Sequence, residues 1–138
     1  MEFEDLVVAV GEKCSSGTIG VINYQTNGFA LYVHSTGSGF IYEGTAILDD
    51  GSVIDINDLE DQKVRVYNYK AITNYHVVDG GSVIKAYFGP NYKEEVCEVI
   101  AYEKNQDIAI ISFSSSLYLE PLILGNSDNV KKGQFAIA

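Results

Sequence analysis

Two residues stand where a reaction could be run. His76 lies in AITNYHVVDG, straight after a short β-prone apolar run and straight before a valine pair and a glycine turn. That context is a strand end able to present a side chain to a cleft. Asp107 opens NQDIAIISF, whose apolar residues read as a buried strand, 31 residues further along. A serine or cysteine hydrolase needs a nucleophile, an imidazole to take its proton, and a carboxylate to orient that imidazole. His76 and Asp107 are candidates for the last two. An acid at the mouth of a buried strand is either a cap on the preceding turn or a carboxylate aimed at a partner, and the local residues leave both open.

The chain has 2 His and 2 Cys, so the alternatives are few. His34, in LYVHSTGSG, precedes what reads as a Gly and Ser turn and has no nearby strand-end acid, which suits a surface or packing role. Cys97, in EEVCEVIAY, alternates with Val99 and Ala101 as core residues do. Cys14 has only Lys13 beside it to lower its pKa. Both thiols are expected to be structural and free, although sequence leaves open whether they pair. Two separated histidines without a cysteine pair at ligand spacing argue against zinc. DINDLED, with Asp55, Asp58, Glu60 and Asp61, lacks the glycine and terminal glutamate of a calcium loop and reads as a solvated loop. No cofactor is expected.

The elements that would hold these residues are mostly short strands. From SSGTIGVINY onward, β-branched and aromatic runs at 17–24, 28–34, 39–43, 64–74, 82–88, 93–102 and 107–113 are separated by Gly, Asn and Asp. Such a pattern predicts an all-β sandwich or barrel. TAILDDGSVIDINDLEDQK interrupts it and reads as a decorated hairpin with its turn at DDGS. Residues 3–14 place Phe3, Leu6, Val7 and Val10 at helical spacing, with acids in the first turn, and predict a short helix.

At 138 residues and 15.1 kDa the chain suits one hydrophobic core. Hydrophobic residues make up 46%, including 10 Tyr and 6 Phe, enough to fold a globular domain. A formal net charge of −10 argues against a phosphate backbone or an anionic membrane as partner, so no nucleic acid is expected. No apolar run approaches a membrane span, and MEFEDLVVAV begins with acids where a secretion leader would be basic.

GSGFIY, AITNYHVVDG, NQDIAIISF and PLILGNSDNVKKGQFAIA, in this order and spacing, resemble the first half of a trypsin-like serine protease of the bacterial HtrA-like branch. The resemblance extends from about Ser15 and is weakest over 45–65. It implies an all-β fold, the N-terminal barrel of a two-barrel enzyme over 15–124, with a linker and the start of a second barrel over 125–138; the helix read from spacing takes 1–14 ahead of it. By the same resemblance His76 is the general base and Asp107 the orienting acid, in the His, Asp, Ser chain order of that fold. Thr73 and Asn74 become ordinary strand-end residues, and GSGF a turn and strand packed under the site. The family's serine lies in a glycine-flanked turn of the second barrel. Ser127, in GNSDN, matches the linker instead, lacks the following glycines and carries Asp128 beside it, so it reads as a turn residue.

The expected function is therefore half of a serine endopeptidase acting on protein or peptide substrates. The nucleophile is absent from these residues, and the fragment is inactive alone. The alternative is a protease-derived binding or scaffolding module without catalysis. The resemblance further implies an extracytoplasmic bacterial location. A barrel parted from its second half would expose an apolar patch and self-associate, with exchange of a terminal strand near 134–138 as one route.

Overall fold

The computed structural model describes residues 17–89 and 91–123. The expected N-terminal helix, Cys14, Ser127 and the linker over 125–138 lie outside them.

Seven strands form one antiparallel sheet: β1 Thr18–Thr26, β2 Leu31–Leu48, β3 Val53–Asp55, β4 Val64–Thr73, β5 Val83–Phe88, β6 Lys93–Glu103 and β7 Ile108–Ser115. Their order is β1-β5-β6-β7-β4-β2-β3, and a further β1–β2 pairing closes the sheet on itself with β3 hanging outside. The strand pattern left a sandwich or a barrel open, and the observed architecture is the all-β barrel that the resemblance implies. Closure depends on the length of β2. Its first part pairs with β1 through Leu31–Phe40, and its second part pairs with β4 from Gly39 to Leu48. A register shift between Ile41 and Glu43 falls just after that handover, as expected where one strand bends to serve two neighbours.

Strand alternation fills the interior. β7 turns Ala109, Ile111, Phe113 and Ser115 inward, β5 turns Ile84, Ala86 and Phe88 inward, and β1 contributes Ile19, Val21 and Asn23. Phe113 lies between Tyr69 and Phe88, with ring centroids 5.4 and 5.3 Å away. Tyr69 is buried, and its hydroxyl donates to the Leu117 carbonyl at 2.8 Å and accepts from the Leu119 N–H at 2.7 Å. One core side chain thereby fastens the segment that leaves β7. Burial pushes the Tyr69 phenol well above its ordinary pKa, and does the same to the Cys97 thiol, which rises to about 12.

Three expectations need correction. The runs at 28–34 and 39–43 are one strand, and GSGF, together with the glycine and serine after His34, lies within β2 and makes no turn. Its glycines answer a need for close approach: a Cβ on Gly37 would stand 2.5 Å from Val77 Cγ2, and one on Gly39 2.7 Å from the Ile72 carbonyl oxygen. The alternation around Cys97 also stops early. Cys97 is buried, but every residue of β6 from Glu98 to Glu103 is exposed, so Val99 and Ala101 face solvent because this part of the strand is uncovered on both faces. The decorated hairpin is present as β2–β3, with the Asp50 carboxylate accepting from the Ser52 N–H and hydroxyl. Asp55, at the start of the acidic loop, caps a single 3-10 turn over Ile56–Asp58.

Tyr69→Phe is expected to cost about 1–3 kcal/mol, because it leaves the buried Leu119 N–H without an acceptor. Urea unfolding of the two proteins measures it, and equal midpoints would show that the tail is fastened elsewhere.

Candidate active site

After β4 the chain makes one helical turn, α1 (Tyr75–Val78), and this turn carries His76. Four residues cannot hold a helix by their own propensity, since nucleation costs more than one turn returns. The turn is held from outside. Val77 and Val78 are buried in the barrel core. The carbonyls that follow His76 are gripped by side chains of the first two strands. Asn23 Nδ2 donates to Val77 O at 3.0 Å and to Asp79 O at 3.1 Å, and the Ser35 hydroxyl donates to Val77 O at 2.7 Å. Gln25 Nε2 donates to Gly80 O. Asn23 is fully buried, so its bond to Val77 O works where water cannot compete.

Asp107 controls the other end of the turn. It ends the β6–β7 connection with φ 57, a left-handed conformation that Asp tolerates better than most residues. Its N–H donates to Lys104 O at 3.2 Å, closing its own loop. Its other hydrogen bonds among the described residues are with the chain at 74–76. Asp107 O accepts from the Tyr75 N–H at 3.2 Å and from Asn74 Nδ2 at 3.1 Å. Oδ1 accepts from the His76 N–H at 2.8 Å, and Oδ2 meets His76 Nδ1 at 2.6 Å. Asn74 stands at the N-cap of α1 but makes no side-chain cap bond. Asp107 supplies the acceptors for the first N–H groups from across the fold.

These contacts fix the chemistry of the imidazole. An ionised carboxylate only accepts, so Nδ1 carries the hydrogen, and in the neutral ring the lone pair is on Nε2. Among the described residues no hydrogen bond is made to Nε2, and the His76 side chain is 70% exposed. The ring is thus oriented from beneath with its basic nitrogen toward solvent. The His76 backbone N–H, followed by its ring, holds the Asp107 carboxyl below the usual carboxylate range. Beside the pair, Tyr75 stacks on Tyr102 with centroids 4.9 Å apart, and its hydroxyl donates to Asp79 Oδ1 at 3.1 Å.

The two residues singled out from sequence are therefore brought together. His34 is exposed on β2 and takes no part. Sequence reasoning missed Asn74, Asn23, Ser35 and Gln25, which hold Asp107 and α1 in place. Asn74 does more than end a strand, and its signal was available: it is the polar residue two positions before His76. Asn23 gave a weaker signal as a polar residue at a core position of TIGVINYQT. Among the described residues no cluster of His, Cys, Asp or Glu could hold a metal ion.

Comparison with known proteins relates the chain to a protein family and to a curated protein. The family model of the trypsin-like peptidase domain matches residues 37–138, which includes both His76 and Asp107. A 66-residue stretch is 32% identical to part of an anti-sigma-I factor, RsgI9, of Acetivibrio thermocellus. That match covers 48% of this chain, and the chain spans only 9% of the relative's length.

The lowered Asp107 pKa has a definite sign for stability. Its contribution is present above the unfolded carboxylate range, around pH 4, and is lost as pH falls through the lower native value. Asp107→Asn is expected to be less stable near neutrality and to lose less on acidification. Urea midpoints measured from about pH 6 to pH 2 test this, and parallel pH profiles for the two proteins would contradict it.

Proposed function

The chain belongs to the trypsin-like peptidase domain family, and on that premise we propose that it is the barrel carrying the base and orienting acid of a serine endopeptidase. The supporting observation is the double contact of the Asp107 carboxylate with the His76 backbone N–H and Nδ1. In this reading Nε2 takes the proton of a serine hydroxyl as the hydroxyl attacks a peptide carbonyl. The carboxylate stabilises the imidazolium that forms, and the same nitrogen later returns the proton to the leaving amine. The base needs no further protein contact on its outer side, because that side must admit nucleophile and substrate.

The nucleophile, oxyanion donors and specificity pocket belong to a second barrel, and the substrate is a protein or peptide. The second barrel would also cover apolar side chains left exposed along β6 and at the start of β7: Tyr102, Val96, Ile100 and Ile108. The HtrA-like pattern of the four sequence blocks favours an extracytoplasmic bacterial enzyme. The short match to an anti-sigma factor supports a barrel that serves as one module of a longer regulatory protein.

A fluorophosphonate probe, which reacts with an activated serine, tests the reading on the full-length product of the parent gene. Labelling is expected there and absent from the 138-residue chain alone. His76→Ala should slow labelling by orders of magnitude, up to about a million-fold by analogy with a comparable triad. Asp107→Asn should slow it about ten-thousand-fold through loss of the correct tautomer. Undiminished labelling of His76→Ala would remove His76 from the role of base. An unlabelled full-length protein would favour a binding module without catalysis.

A further inference from the structure

The strand that closes the barrel is open along part of one side. β2 pairs with β1 through Leu31–Phe40 but reaches β4 only from Gly39 onward. Over 31–38 its second edge therefore has no strand partner among the described residues. α1 approaches that edge at Ser35 and Gly37, through Val77. The outer portion, Leu31–His34, is exposed on both faces, with Leu31, Tyr32 and Val33 at 48%, 51% and 55% and Phe29 in the turn at 97%. The hairpin also projects past its neighbour, because β5 pairs with β1 only over Gly20–Tyr24 and leaves Gln25 and Thr26 paired to β2 alone.

Exposed edges are normally blunted by charge or proline. Here those devices are missing. From Ser15 through Tyr42 the sequence has no Asp, Glu, Lys, Arg or Pro, in a chain whose formal net charge is −10. No other uncharged run in the sequence is as long.

We propose that this edge docks a second copy of the chain, the two Leu31–His34 strands pairing antiparallel across a two-fold axis to continue the sheet from one barrel into the next. Charge and symmetry select that occupant. Two chains of −10 repel one another over about 10 Å in 0.1 M salt, so they approach most easily where neither carries charge. A basic or acidic peptide gains no ion pair on this hairpin. Antiparallel pairing of a strand with itself is isologous, so the apolar residues on each face meet their own kind while the open backbone groups are satisfied. The association site is thereby placed on the outer part of the β1–β2 hairpin, beyond Ser35 where β2 meets α1, and is independent of whether the barrel serves a peptidase.

Sedimentation equilibrium of the 138-residue chain from about 1 μM to 1 mM tests this, with hydrogen exchange read at both ends of the range. A monomer–dimer equilibrium is expected, and the 31–37 amides should gain protection as concentration rises. Val33→Glu and, separately, Leu31→Glu place like charges across the axis and should each weaken the dimer by about tenfold or more. Val96→Glu, on β6, should leave it unchanged. Thermal melts establish that each variant folds, and Leu31→Glu, nearer the tip, carries the test where Val33→Glu does not fold. A synthetic peptide of residues 29–36 should compete with the dimer, and a scrambled peptide of the same composition should not. The proposal is overturned by a monomer across the whole range, by a dimer lost in Val96→Glu but kept in both edge variants, or by equal competition from the scrambled peptide.

Discussion

The site depends on one residue satisfying two obligations at once. Asp107 gives its backbone carbonyl and one carboxylate oxygen to the first N–H groups of α1, and the other carboxylate oxygen to the ring of His76. A four-residue turn closes too few bonds of its own to persist unaided. The acid that orients the imidazole also caps the start of the turn that carries it. The left-handed backbone of Asp107 sets the angle at which both functions are reached. Substitution there disturbs position and charge together.

The clamp on the far side of α1 shows why the barrel has to close before the site can exist. Asn23 and Gln25 come from β1 and Ser35 from the first part of β2, and all three donate to carbonyls just after His76. Asp107 and Asn74 come from the β6–β7 connection and the end of β4. The β1–β2 pairing brings these two groups of contacts around one turn of chain. Gly37 allows the approach, since any side chain there would collide with Val77. The same long β2 that closes the ring leaves an uncharged edge beyond it, so closure and the exposed hairpin follow from one strand being longer than either neighbour needs.

Much of this could be read from the chain. The apolar run in NQDIAIISF marked β7 as a core strand, though not which of its residues point inward, and turn chemistry located the β2–β3 hairpin at DDGS. Errors arose where a glycine had two explanations. Glycines 37 and 39 read as turn formers, yet each permits close packing within a strand, and nothing local separates a glycine kept for its backbone freedom from one kept for its lack of a side chain. The alternation at Cys97 failed for a different reason: β6 past Cys97 is exposed on both faces, and alternating residue types do not say which face another element covers.

Composition, periodicity and turn chemistry fixed the strand-rich fold, the single core and the short list of residues able to do acid–base work, because those properties are local or additive along the chain. Whether Asp107 capped its own turn or reached a distant partner was decided only in three dimensions. It caps a turn, but the turn belongs to His76, 31 residues away in sequence, so the two alternatives left open by the sequence are one arrangement. The role of Asn23 was hidden for the same reason: a buried amide has meaning only through the carbonyls brought within its reach, and those lie 54 and 56 residues along the chain.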